Sequence, residues 1–304
     1  MKRITPYLWF DTEAEEAADF YISLFDNSKI TGIYVLEDTP SGIATTVNFE
    51  LAGQPFSAIS AGPYFKLNLS LSIMVQCSTK DEADKLWNAL LDGGNELMAL
   101  GEHSFGKSYG WLEDRYGLSW QILLVDHPIS QKLIPQFLFS NAVNGKAEEA
   151  LRYYTEVFPE SSIEDLHHYK SGDIENPRAK VLFSEFYLAG TQFNAIDDAF
   201  ESDFTFNEAF SLEILCDDQK EIDYYWEKLS AVPEADLCGW VKDKFGVSWQ
   251  IVPASMDELF TTGSREQINR VTKALLKMKK INIEELEKNK TRNRITKGII
   301  SFMR

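Results

Sequence analysis

The chain has 304 residues, length enough for two domains at about 150 residues each, and 44% of it is apolar, with 20 Phe, 12 Tyr and 7 Trp. That excludes a disordered chain, and no apolar run approaches the ~20 residues that cross a bilayer. The net charge of −17 is unevenly placed: residues 265–304 hold 12 Lys/Arg against 4 Asp/Glu and the rest 18 against 43, so the body repels phosphate backbones and nucleic acid is not expected as a partner.

The first apolar run, "TPYLWF", predicts a strand, and the acidic residues that follow make it no secretory signal. Ala14, Ala17, Ala18, Tyr21, Leu24 and Phe25 then recur at helical spacing. Three strand-like runs follow, "KITGIYVL", "IATTVNFEL" and "QPFSAIS", with "LAGQPF" as the turn between the last two. The order then restarts. "SLSIMVQC" predicts a strand, and "KDEADKLWNALLD" a helix capped by Ser78 or Thr79. "SYGWLED" and "LSWQILLV" predict two of the strands that follow. Each half of the chain thus reads β-α-β-β-β twice.

The second half repeats the first at offsets of 129 to 141 residues. "NFELAGQPFSAI" returns as "EFYLAGTQFNAI", and "GWLEDRYGLSWQI" as "GWVKDKFGVSWQI". The first copy carries about ten extra residues, roughly Met98 to Lys107. The expected organisation is a first domain over 1–127, a second over 133–258 joined through "DHPISQK", and a basic helical tail over 264–304. The fold class is α+β, a tandem duplicated domain. Cys77, Cys216 and Cys238 form no CxxC, which predicts free thiols in a reducing cytoplasm rather than a disulfide framework or a zinc site.

The paired β-α-β-β-β unit, the opening "ITPYLWFDTEAEEAADFY", the "FKLN" and "FTFNEAFSL" segments and the doubled "SWQI" strand resemble the vicinal oxygen chelate superfamily. That group includes glyoxalase I, bleomycin-resistance proteins and extradiol dioxygenases. Within it the chain is most similar to PhnB-like, or 3-demethylubiquinone 3-methyltransferase-like, domains. The resemblance implies paired modules whose sheets curl into a cup around a small molecule. It also implies either a monomer with an internal pseudo-dimer or a homodimer.

In the superfamily's enzymes the cup holds a divalent metal, with a Glu ligand on the last strand. Here Gln121 and Gln250 fall at that place, and a neutral amide supplies no charge to offset the ion. The opening strands offer only Gln136, and Glu213 is the best lone carboxylate. His103, His127, His167 and His168 read as surface or loop residues. The metal site therefore reads as degenerate. If an ion does bind, Gln136, Glu213 and Gln250 are its expected ligands. Tyr7 and Trp9 share one face of the first strand by period-2 alternation. Trp120 and Trp249 are expected on the core side, which turns Gln121 and Gln250 into the cup. Ser57 and Asn194 occupy matching positions and add polar contacts. "DGGNE" follows a helix, so it reads as a C-cap rather than a cofactor turn. Methyl transfer is not expected.

The leading functional expectation is a small-molecule-binding protein without a cofactor. Its site would comprise Tyr7, Trp9, Ser57, Gln121, Gln136, Asn194, Glu213 and Gln250. A divalent-metal lyase, isomerase or dioxygenase comes second, and a non-catalytic scaffold third.

Overall fold

The computed structural model describes residues 4–103, 106–170, 172 and 174–291. The first half holds β1 (Ile4–Phe10), α1 (Ala14–Leu24), β2 (Lys29–Thr39), β3 (Gly42–Leu51) and β4 (Gln54–Ser60) as one module. Its second module is β5 (Leu71–Cys77), α2 (Lys80–Leu91), β6 (Asn95–His103), β7 (Gly106–Glu113) and β8 (Ser119–Leu124). The second half gives β9 (Leu133–Phe139), α3 (Ala147–Val157), β10 (Ser162–His168), β11 (Val181–Leu188) and β12 (Thr191–Asp197). A shorter last module has β13 (Phe210–Cys216), α4 (Gln219–Leu229), β14 (Trp240–Lys242) and β15 (Ser248–Pro253). Helices α5 (Met256–Thr261), α6 (Arg265–Leu275) and α7 (Ile283–Thr291) end the described chain. The fold is mixed α+β, with two copies of one unit and C-terminal helices.

The modules pair into two sheets, and the partners are exchanged between the halves. One sheet has the order β14-β15-β13-β1-β4-β3-β2, so it joins the first module to the last. The other, β10-β11-β12-β9-β5-β8-β7-β6, joins the two inner modules. The seams are antiparallel: Tyr7 lies opposite Ser211 across β1–β13, and Ser72 opposite Gln136 across β5–β9.

Modules of the same half meet instead through their helix sides. Tyr21 of α1 packs on Trp120 of β8 at 5.3 Å between ring centroids, and Phe25 stacks on the same indole. Asp114 locks the contact. Its carboxylate accepts from the Tyr21 hydroxyl and Trp120 Nε1, each at 2.8 Å, and from the backbone N–H of Tyr116 and Leu118. The second half repeats this with Asp243, which accepts from Tyr154, Trp249 Nε1, Phe245 N and Val247 N. Both aspartates are buried, so the four donors replace their water.

Local rules place the strands. "LAG" closes β3–β4 and β11–β12 with two consecutive left-handed residues, Ala52 and Gly53 in one hairpin and Ala189 and Gly190 in the other. Such turns match the twist of the flanking strands. Thr79, not Ser78, caps α2 by accepting from Glu82 N. The extra residues of the first copy lengthen the β6–β7 hairpin; residues 104 and 105 lie outside the described residues. The last module has no counterpart of β6, against the expected β-α-β-β-β. The tail covers the gap: Cys238 N and Gly239 N donate to the carbonyls of Met278 and Lys279. Gly239 has φ +90°, and a Cβ there would meet Ile281 at 2.8 Å, so glycine is required at this crossing.

The tail touches both halves. Phe260 of α5 stacks on Tyr34 of β2 at 5.5 Å, only a few residues after β15 ends. Strands near opposite ends of this sheet are therefore bridged by one short helix, and the sheet curls into a cup. Arg265 and Lys273 of α6 pair with Glu37 and Asp38 of β2, and Lys280 pairs with Asp223 of α4. The basic tail thus docks on the acidic body, and residues 292–304 of it lie outside the described residues.

Replacing Asp114 by Ala strands two side-chain donors and two backbone donors in the core. It should cost roughly 3 kcal/mol or more, against about 1 kcal/mol for Tyr21→Phe. Urea unfolding of the two variants measures both, and a loss below that of Tyr21→Phe would remove the carboxylate from this role.

Candidate functional site

In both sheets, side chains alternate between a helix side and a cup side. On the helix side, Ile73, Val75, Trp120, Ile122 and Phe137 are fully buried, and so is Trp249. On the cup side of the eight-stranded sheet, polar residues follow one another across strands. Tyr109 Oη donates to Gln121 Oε1 at 2.9 Å, and Gln136 Nε2 donates to the same oxygen at 3.1 Å. Gln121 Nε2 in turn donates to Ser72 Oγ at 2.7 Å. Asn194, opposite Gln136 in register, points its Nδ2 at Met74 Sδ, 3.5 Å away.

This network uses its donors and leaves acceptors over. Gln76 Oε1, Gln136 Oε1 and Asn194 Oδ1 are buried without a hydrogen-bond partner. The three residues are 7%, 3% and 2% exposed. Buried amide oxygens in folded proteins are nearly always paired, and an unpaired one costs about 1–3 kcal/mol. Beside them lies a cavity of about 380 Å³. Gln76, Gln192, Asn194 and Glu185 give its polar wall, and Met74, Ile134 and Phe183 its apolar wall. That size lies within the range of small-molecule sites. His127, read as a linker residue, lies on its rim.

The seven-stranded sheet carries Tyr7, Trp9, Ser57, Glu213 and Gln250. Gln250 Nε2 donates to Ser211 Oγ at 2.9 Å, the counterpart of the Gln121–Ser72 bond. Tyr7 and Trp9 both lie edge-on to Trp240, at 6.0 and 6.2 Å. Ser57 donates to Asn48 Oδ1, and Asn48 Nδ2 donates to Asp257 of α5 at 2.9 Å. Register pairs Glu213 with Gln250 and Met74 with Gln121, so Glu213 corresponds to Met74, not to Ser72 as the run "SLSIMV" against "SLEILC" suggests. Desolvation, then the nearby Asp257 carboxylate, pushes Glu213 up to about 8. Burial likewise raises the Tyr7 hydroxyl above the usual phenol range.

The predicted residues therefore divide between two cups: Gln121, Gln136 and Asn194 in one, and Tyr7, Trp9, Ser57, Glu213 and Gln250 in the other. The conditional metal set is split, because Gln136 belongs to β9 and Glu213 and Gln250 to the other sheet. Among the described residues no three His, Cys, Asp or Glu side chains gather. The first cup floor offers amides, hydroxyls and a thioether, and the second adds the Glu213 carboxylate with Asp257 of α5 near it. The expected ligands Gln136, Glu213 and Gln250 supply one carboxylate between them and lie on two floors, so as a set they do not fit a resident metal.

Sequence reasoning missed Met74, Gln76, Glu185 and Gln192. For Gln192 the signal was present, since it stands two residues before the assigned Asn194 on β12; Met74 and Gln76 share that alternation with Ser72, and Glu185 joins only through its pairing with Asn194. Polar residues inside "IMVQC" and "TQFNAI" have only the cup to face.

Glu213 makes stability depend on pH. Its folded pKa lies above the unfolded value near 4.5, so the folded state binds the proton more tightly. The stability it contributes is present below about pH 4.5 and is lost as pH rises through about 8. Glu213→Gln should flatten that fall and raise the chemical-denaturation midpoint at alkaline pH. An unchanged pH profile would count against an enclosed Glu213.

The family model described as 3-demethylubiquinone-9 3-methyltransferase matches residues 2–123 and again 131–252. The PhnB protein from Bacillus cereus is 37% identical over 40% of this chain and 98% of its own, with a TM-score of 0.38. Glyoxalase I from Zea mays is 11% identical, with a TM-score of 0.55 over 85% of this chain and 95% of its own. No curated protein matches the chain. The first likeness is of one relative to one repeat, and the second is one of fold along both repeats. The family match over both repeats and the fold likeness to glyoxalase I place the architecture among glyoxalase-like, vicinal oxygen chelate proteins.

Proposed function

The chain belongs to the 3-demethylubiquinone-9 3-methyltransferase family, in two tandem copies, and from that premise we propose that it is a small-molecule-binding protein of the glyoxalase and bleomycin-resistance type. The ligand occupies the cavity of the eight-stranded sheet. One observation carries this reading: the wall of a cavity of ligand size includes Gln76 and Asn194, whose buried amide oxygens have no partner, and Gln136, next to Asn194 in register, has a third such oxygen. Oxygens left unpaired in the protein are satisfied by what enters the cup.

Gln121 holds the floor in place through Tyr109, Gln136 and Ser72 and is not itself left with a free acceptor. Binding, rather than chemistry, suits a site whose floor has neither a nucleophile beside a base nor a charged ligand set. Methyl transfer forms no part of the reading. The seven-stranded cup, spanned by α5, has the aromatic pair Tyr7 and Trp9 and the carboxyl group of Glu213 as a second, enclosed site. Because each sheet draws on both halves, the chain acts as an internal pseudo-dimer. No helix among the described residues is long and apolar enough to cross a membrane.

The neutral dye 1-N-phenylnaphthylamine, which brightens in apolar surroundings, tests the site. It should bind at one equivalent per chain. Asn194→Trp and Ile134→Trp, which fill the cavity, should each abolish the signal while far-UV circular dichroism and the melting temperature stay near native. Absence of dye uptake by the native protein would sink the reading.

A further inference from the structure

Resting on the cavity assignment just made, we infer that the ligand of the eight-stranded cup is an organic cation: a primary ammonium or amidinium group carried on an apolar body. The inference starts from a count of donors and acceptors. Among the buried side-chain atoms left without a partner here, Gln76 Oε1 and Asn194 Oδ1 belong to the cavity wall and Gln136 Oε1 stands beside Asn194 in register, and all three are acceptors. The matching amide nitrogens of Gln136 and Asn194 are spent inside the protein, on Gln121 Oε1 and Met74 Sδ. A ligand rich in acceptors would leave those oxygens as they are. A ligand that brings N–H donors satisfies them, and an ammonium group brings three.

Charge points the same way. No lysine or arginine lines the cavity. Glu185 lies on its wall, held by the Tyr187 hydroxyl at 3.4 Å. A second, more open pocket of about 510 Å³ shares Glu185 and Tyr187 and adds Glu160 and Glu164. The two adjoining pockets together are lined by three carboxylates, Glu160, Glu164 and Glu185, and by no lysine or arginine. The body around it carries 43 Asp/Glu against 18 Lys/Arg outside the tail. Such a field concentrates cations at the mouth and repels anions. An anion placed against the amide oxygens would have no counter-charge, and burying it there would be costly. Met74, Ile134 and Phe183 line the rest and have no use for charge. They call for an apolar portion on the same ligand.

Three indoles that differ only in the side-chain head group separate the alternatives: tryptamine, the neutral alcohol tryptophol, and indole-3-acetate. Each competes with bound 1-N-phenylnaphthylamine. Tryptamine should displace the dye at a concentration about tenfold below tryptophol, a difference worth about 1.4 kcal/mol, and indole-3-acetate should be the weakest. Glu185→Gln should shrink the tryptamine-to-tryptophol ratio severalfold, and added salt should shrink it further. If the dye binds and tryptophol or indole-3-acetate equals or beats tryptamine, the cation is wrong and the cavity reading survives. The same holds if tryptamine fails to displace the dye. If the dye does not bind, both fall together.

Discussion

A carboxylate buried with four hydrogen-bond donors, used twice, holds this protein's modules in place. Asp114 and Asp243 each collect a tyrosine hydroxyl from one module, and an indole N–H and two backbone N–H groups from the next. The low dielectric around them strengthens every bond and makes each loss expensive. The residues after each aspartate follow from the arrangement. Gly117 and Gly246, at φ +85° and +88°, turn the chain into the last strand. Trp120 and Trp249 then face the helices, and alternation sends Gln121 and Gln250 to the opposite face. A single short motif thereby anchors the core on one side and a cup floor on the other.

This division of labour gives the sheets their freedom. The modules of one half are fixed to each other through helices and aspartate, so their sheet edges remain open for the modules of the other half. An open edge is a row of unpaired N–H and C=O groups. Here β1 finds β13, and β5 finds β9. The two cups then diverge. The seven-stranded one has no second edge strand in its last module, and the tail supplies backbone partners at Cys238 and Gly239 while α5 reaches across to β2. The eight-stranded one has the full hairpin and the cavity.

Much of the fold could be read from residues alone, for identifiable reasons. The four modules were legible because helical and period-2 spacing alternate cleanly and because the second half repeats the first. Trp120 and Trp249 were assigned to the core as large apolar residues, and strand alternation then turned Gln121 and Gln250 to the cup. The exchange of sheets between halves was not legible: it depends on which exposed edges meet, and nothing local in β1 distinguishes β5 from β13 as its neighbour. For the same reason Gln136, Glu213 and Gln250 looked like one set, though they belong to two floors. The cavity's polar wall at Glu185 was hidden because a lone polar residue in a strand reads as solvent-facing until the opposing wall is known.

The nesting of the modules also fixes an order of events. The inner seam joins Ser72 to Gln136, whereas the outer seam joins residues 204 apart in the chain, Tyr7 and Ser211. Loop closure costs more, and takes longer, over the longer span. During synthesis the strands of the inner sheet are all available once β12 has emerged, while the partner of β1 is still to be made. The N-terminal strand must therefore wait, with one edge unpaired, for a segment more than two-thirds of the way down the chain. The ligand-sized cavity belongs to the part that can form early, and the helical tail closes a cup that can only be completed after the last module has emerged.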